Sequence, residues 1–166
     1  MPFQELVKEL MEDIIENPKM INEYYKGSPS APIHIVLQNG DINALEIISK
    51  YDIDYNKEDR FGNIPIHLAI DLEFKEAIEL LLERGVEINV KDFSEKDVID
   101  KVVDQGNSDI IDLFKKRLTN NYADHQRLNS SVKEDDFDSE YPSLIGRIHV
   151  KEQSRIDSGG NDLVRS

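Results

Sequence analysis

The triplet Pro-Ile-His occurs twice, as Pro32-Ile33-His34 and Pro65-Ile66-His67, and the offset of 33 residues between the copies limits the fold more than any other feature. The same offset relates Ala44 to Ala77, Leu45 to Ile78, Ile47 to Leu80 and Ile48 to Leu81. It also relates Asn56 to Asn89 and Asp59 to Asp92. Self-similarity at one period of this size signals a solenoid, in which each unit is too small to bury its apolar face and stacking with its neighbours does so.

The unit itself can be read in physical terms. Ile66, Leu68, Ala69 and Ile70 give a short helix its buried side, and Pro65 suits the first turn, where its missing N–H would have had no partner. A second helix is predicted from about Lys75, with Ala77, Ile78, Leu80, Leu81 and Leu82 as a wide apolar stripe. Gly85 suits a left-handed stop. Val86-Glu87-Ile88-Asn89-Val90 then alternates as an extended segment does.

Gly62-Asn63-Ile64-Pro65-Ile66-His67-Leu68-Ala69, followed by Glu79-Leu80-Leu81-Leu82-Glu83-Arg84-Gly85-Val86-Glu87-Ile88-Asn89, resembles an ankyrin repeat. The family pattern is G-x-T-P-L-H-x-A-A, an outer helix ending in L-L-x-x-G-A, and then D-V-N. The unit that runs from Ala31-Pro32-Ile33-His34 to Asp54-Tyr55-Asn56 is similar to it but departs further. A third, degenerate unit keeps Val98, Ile99 and Val102 at inner-helix positions, Gly106 in the place of Gly40, and Ile110, Ile111, Leu113 and Phe114 on the outer helix. Val98 and Asp100 stand there in place of the proline and histidine, as expected of a capping repeat.

Other departures are local. The family's threonine is Ala31 in one unit and Ile64 in the next, which removes a hydrogen bond at the start of the inner helix. The glycine between helices is present as Gly40 but is Glu73 in the following unit. Asp52 stands where a counterpart of Gly85 is expected, so either Asp52 is left-handed or the turn differs.

The flanks lie outside the 33-residue register. Leu6, Val7, Leu10, Met11, Ile14 and Ile15 predict a helix that Asn17-Pro18 ends, and Met20, Ile21, Tyr24 and Tyr25 make a second, shorter apolar face. The alternative for this segment is a dimerisation or partner helix. After Leu118 the composition turns to Asn, Asp, Ser, Gly and Arg, which predicts a disordered or loosely ordered tail. Tyr141 to Val150 is a candidate short strand or linear motif. The run from Lys133 to Ser143 reads as a solvated acidic stretch, similar in composition to degradation-prone acidic tails.

The expected fold is therefore all-α: an ankyrin-repeat solenoid of stacked helix-turn-helix units with hairpin loops. A helical cap at 1–26 precedes repeats at 27–118, divided as 27–59, 60–92 and a degenerate 93–118, and an acidic, polar tail occupies 119–166.

Composition narrows the function. The net charge is −14, with 25 acidic and 14 basic side chains in residues 1–120 and 9 and 6 in residues 121–166. Such a field repels phosphate backbones, so no nucleic acid is expected; it would favour a partner with a basic surface. There is no cysteine, hence no disulfide, thiol nucleophile or cysteine-ligated metal. No membrane span and no secretory leader are expected, and the expected location is cytoplasmic, with host cytoplasm or nucleus as variants. His34 and His67 match the family's structural histidine, while His125 and His149 lack a second ligand at metal spacing. No phosphate-loop, dinucleotide, zinc-protease or serine-hydrolase motif occurs. The acidic pairs are not held across a cleft. No catalytic residue, metal or cofactor is assigned, and the chain is expected not to be an enzyme.

What the resemblance implies is a concave face that grips a partner protein. Carried onto this sequence, its first tip is Lys57, Glu58, Arg60, Phe61 and Asn63, and its second is Lys91, Phe93, Ser94 and Glu95. On the inner helices the exposed positions are Asp71 and Leu72, with Gln38, Asn39 and Asp104. Asp59, Asp92, Asn56 and Asn89 match positions that fix the loops. Phe61 and Phe93 matter most, because bare aromatic side chains are enriched at binding hot spots; the alternative is that each ring folds down onto its neighbouring repeat. The expected role is a non-catalytic binding module: a regulator, an inhibitor similar to those of Rel-type transcription factors, or a host-mimicking effector. The alternatives are an accessory or enzymatic effector dependent on its tail, or a self-associating structural protein. The expected state is a monomer or weak self-associate.

Overall fold

The computed structural model describes residues 3–128 and 140–159. They form α1 (Phe3–Glu16), α2 (Pro32–Asn39), α3 (Ile42–Ile48), α4 (Pro65–Asp71), α5 (Lys75–Glu83), α6 (Val98–Gln105), α7 (Ser108–Leu128) and α8 (Glu140–Gly159), with 3-10 turns at Pro18–Asn22 and Tyr25–Gly27. Among the described residues there is no strand, as the all-α reading expects. The chain divides into two compact units, Met1–Lys101 and Val102–Ser166, with the division inside α6.

In the first unit Pro32 and Pro65 open the inner helices α2 and α4. Neither N-cap residue, Ala31 or Ile64, supplies a side-chain acceptor. Proline's fixed φ stands in for that lost bond. Asp41 does cap α3, accepting from the Ala44 N–H at 3.0 Å. Helix α2 pairs with α3 and α4 with α5, while α2 lies beside α4 and α3 beside α5. Ile33, Leu37, Leu45, Ile48, Ile66, Ile70, Ile78 and Leu81 fill the space between them and are fully buried. Each contributes about 1.5–3 kcal/mol relative to an exposed position.

Helix α1 packs on both α2 and α3, taking the first place in the outer row ahead of α3 and α5. Val7, Leu10 and Ile14 are its buried stripe, and Ile15 is left 65% exposed. The segment after it carries the register of the units that follow. Asn22 Oδ1 accepts from the Asp54 N–H at 2.8 Å, just as Asn56 Oδ1 accepts from the Glu87 N–H at 2.8 Å. Asn22 stands 34 residues before Asn56, and the extra residue lies in the loop that follows it. The loop closed by Tyr25 N–H to Ser30 C=O is one residue longer than those closed by Asp59 to Asn63 and by Asp92 to Lys96.

The turns between paired helices also repeat. Gly40, Glu73 and Gly106, each 33 residues apart, all take positive φ, of 68°, 52° and 70°. Glu73 thus adopts a conformation that glycine enters without penalty and other residues do not. Gly85 ends α5 with φ 76°, as predicted. Asp52 is not left-handed; the turn differs there, with Tyr51 N–H bonding Ile48 C=O at 3.0 Å and Ile53 N–H bonding Tyr51 C=O at 2.9 Å.

Among its described residues the second unit carries helix into the region expected as a disordered or loosely ordered tail. Helix α7 runs on to Leu128, and residues 140–159 form α8, which packs on α7. The candidate strand at Tyr141–Val150 is helical. Val102, Val103, Ile110, Ile111, Phe114, Leu118 and Ile148 are buried. The helical signal is a sparse one: Ile110, Phe114 and Leu118 step by four, as do Leu144 and Ile148, and Pro142 lies in the first turn of α8. Of the acidic run, 133–139 lies outside the described residues.

Candidate interaction surface

Three loop tips project between the helix pairs of the first unit: 25–30, 59–63 and 91–96. Each of the last two is organised around one buried aspartate. Asp59 Oδ1 accepts from the N–H groups of Phe61 at 2.8 Å and Asn63 at 2.9 Å, and Oδ2 accepts from Asn63 Nδ2 at 3.1 Å. Asp92 Oδ1 accepts from the N–H groups of Ser94 at 2.8 Å and Lys96 at 3.2 Å. Its Oδ2 accepts from Lys101 Nζ at 2.8 Å. Carboxylates with this many N–H donors hold a loop in one conformation. The first and second tips are joined directly, Arg60 N–H donating to Pro29 C=O at 2.9 Å.

The histidines support the same loops. His34 Nε2–H donates to Asn63 C=O at 3.2 Å, and His67 Nε2–H donates to Val90 C=O at 3.0 Å. His67 Nδ1 in turn accepts from the Ile64 N–H at 3.4 Å. The corresponding nitrogen of His34 is buried without a hydrogen-bond partner. Burial pushes both imidazoles below their ordinary pKa, so each sits neutral in the fold.

The predicted contact residues separate into two groups. Phe61 is 62% exposed, Phe93 85% and Leu72 49%. Glu58, Arg60, Lys91, Ser94 and Glu95 are also exposed, and Lys57 is half-buried. Asn63 and Asp71 are committed internally: the Asn63 amide to Asp59, and the Asp71 carboxylate to Lys101 Nζ at 2.9 Å. The two aromatic tips are out of step by one residue. At the 33-residue offset Phe93 stands in the place of Arg60, and Ser94 in the place of Phe61.

Lys101, unremarkable in the sequence, is the clamp of the third tip. Its side chain is 12% exposed and lies between Asp71 and Asp92. Burial opposes its charge, but the two carboxylates outweigh that and hold its pKa above the ordinary lysine value. Burial likewise would raise the Asp92 carboxyl, yet Lys101 and the N–H groups of Lys96 and Ser94 hold it below the ordinary range.

Tyr24, read from the sequence only as part of an apolar face, also belongs to this surface. It is 37% exposed. Its hydroxyl donates to Glu58 C=O at 3.3 Å. Lys57 Nζ lies 5.1 Å and Arg60 Cζ 5.0 Å from its ring centroid. The signal that would have found it is the position of Asn22, which puts Tyr24 one residue before a tip. Next to it Tyr25 is buried, and its hydroxyl donates to Asp13 Oδ2 at 2.7 Å. Lys26, at φ 44°, is paired with Glu9 and with Asp13 at 2.8 Å, which anchors the first tip to α1.

Among the described residues no helix is long and apolar enough to cross a membrane. The family pattern described as ankyrin repeats in three copies matches residues 3–92, so it takes in α1 and ends at the start of the third tip. Alpha-latrotoxin-Lh1a of Latrodectus hasselti is 21% identical over 125 residues, which is 68% of this chain and 9% of that protein. The chain therefore spans only a small fraction of that relative's length.

Proposed function

The chain belongs to the ankyrin-repeat family, and we propose that it works as a non-catalytic module that grips a partner protein through its loop tips. Ankyrin repeats generally mediate protein–protein interaction and are typically non-catalytic. The observation that carries the proposal is the state of Phe61 and Phe93. Each lies bare on a loop already fixed by a buried aspartate. A rigid loop loses little conformational entropy on binding, and an exposed aromatic ring returns a large apolar area to contact. Leu72 extends the apolar part of the surface at the end of α4.

The toxin likeness names no partner for this chain. The test is capture from native lysate on the immobilised chain, compared with a Phe61→Ser, Phe93→Ser double variant, with proteins identified by mass spectrometry. Ile156→Ser, at an exposed apolar position in α8, is the control. We expect the double variant to lose the captured partner by at least about tenfold, the scale of a hot-spot truncation, while the control retains it. Equal capture by all three proteins, with matching melting curves, would overturn the proposal.

A further inference from the structure

The chain as a whole carries a charge of −14, yet its second tip gathers two cations, Lys57 and Arg60, around one ring. Lys57 and Arg60 both lie about 5 Å from the centroid of the Tyr24 ring, so their charges are no more than about 10 Å apart. Neither has a carboxylate within ion-pairing distance among the described residues. Asp59, between them in sequence, is 5% exposed and has both oxygens taken by the N–H groups of Phe61 and Asn63. Glu58 is the one exposed carboxylate in the 57–60 stretch. At the third tip Lys91 is already paired with Glu95 at 3.5 Å, and Lys101 with two aspartates.

We infer that the Tyr24–Lys57–Arg60 cluster receives an acidic residue of a partner polypeptide, with an apolar neighbour of that residue resting on Phe61. The inference rests on the tips being the gripping surface and names the chemistry they recognise. Two like charges gathered on one ring repel each other, and an entering carboxylate relieves that repulsion. The ring restricts the guanidinium before binding, so its two-pronged donor set meets a carboxylate with less entropy to lose. Physiological salt screens charges beyond about 8 Å, so the distant acidic surface counts for little here, and the nearby carboxylates are Glu58 and the internally bonded Asp59. The net charge of the chain, which taken alone favours a basic partner, does not set the preference here.

The probe is a displayed library of random twelve-residue peptides, selected on the immobilised full chain. Selected peptides are then synthesised with a fluorescent label for affinity measurement. We expect the selected pool to be enriched in Asp or Glu adjacent to a large apolar residue. A Lys57→Gln, Arg60→Gln variant should bind these peptides at least tenfold more weakly, with unchanged melting. Arg60→Lys should recover only part of the loss, and raising the salt should weaken the wild type more than the variant. A pool enriched in Lys and Arg, or an affinity that Lys57→Gln, Arg60→Gln leaves unchanged, overturns the inference. If such a pool still loses binding with Phe61→Ser, Phe93→Ser, the tips remain the gripping surface and only the acidic preference falls. If no peptide binds, or binding ignores both pairs of substitutions, both conclusions fall.

Discussion

The second and third tips share one plan and are secured by different means. In both, a buried aspartate accepts two backbone N–H groups through Oδ1. Asp59 finds the partner for its other oxygen within its own loop, in the neutral amide of Asn63. Asp92 depends on a charged side chain from α6, Lys101. The second tip turns through Gly62 at φ 78°, and the third turns at the corresponding place through Glu95 at φ 60°. One loop is nearly self-sufficient, whereas the other is strained and leans on an ion pair. A solenoid tolerates such unevenness because each unit answers only to its neighbours.

Removing the aspartates should give the largest effect and the sharpest contrast. Asp59→Ala and Asp92→Ala each leave two backbone N–H groups without their acceptor, at a cost of about 2–3 kcal/mol by urea unfolding. Lys101→Met should then separate the loops. It leaves the Asp92 carboxylate unpaired in a buried place, for about 1–2 kcal/mol. The Asp59 loop should be untouched, as amide hydrogen exchange at Phe61 and Asn63 would report. Equal loss of protection at both tips would show that they are coupled and not secured separately.

How much of this was legible in the sequence depended on whether a signal survived a fixed offset. The two Pro-Ile-His units, the outer-helix stripe and the paired Asp59 and Asp92 all lie 33 residues apart. The tips came from the family resemblance that those units carry. Asn22 and Tyr24 were hidden by a single inserted residue in the 25–30 loop, which displaced α1 and its following segment from the register. Lys101 was hidden for a different reason. It occupies the place of Leu68, and no spacing rule announces that a lysine will turn toward two carboxylates instead of water. In α7 and α8 the polar composition masked a four-residue step that packing makes sufficient for a helix.

Acidification should reveal the histidines that support both tips. Burial holds the folded pKa of His34 and His67 below the value of a free imidazole, about 6.5. The unfolded chain therefore takes up protons first as pH falls, and stability declines from about pH 6.5 downward until the folded histidines titrate. Asp92, whose folded pKa is lowered, adds a second decline below about pH 4, where the unfolded carboxyl begins to protonate. Urea midpoints measured from pH 8 to pH 3 should be flat at first and then fall in these two stages. Lys101→Met should diminish the lower stage and, because Lys101 also helps to lower the His67 pKa, reduce the upper one only slightly, since burial is the larger cause there. A midpoint unchanged between pH 7.5 and pH 5 would mean the imidazoles are not excluded from water as drawn.

The smallest effect is a gain. Glu95 and Glu73 occupy left-handed positions that their counterparts Gly62 and Gly40 fill with glycine. A non-glycine residue there costs about 1–2 kcal/mol. Glycine removes that cost but makes the unfolded chain more mobile, which returns part of the gain. Glu95→Gly should therefore stabilise by a net of about 0.5–1 kcal/mol. It also removes the Lys91–Glu95 pair, but that contact is 3.5 Å long with Glu95 84% exposed, so its loss should be minor. Gly62→Ala should do the reverse by a similar amount. The added Cβ meets no atom within 4 Å, so the whole cost is backbone strain and none of it is crowding. If the two substitutions fail to move stability in opposite directions, the positive φ at residue 95 is not a source of strain. The third tip would then differ from the second only in its reliance on Lys101.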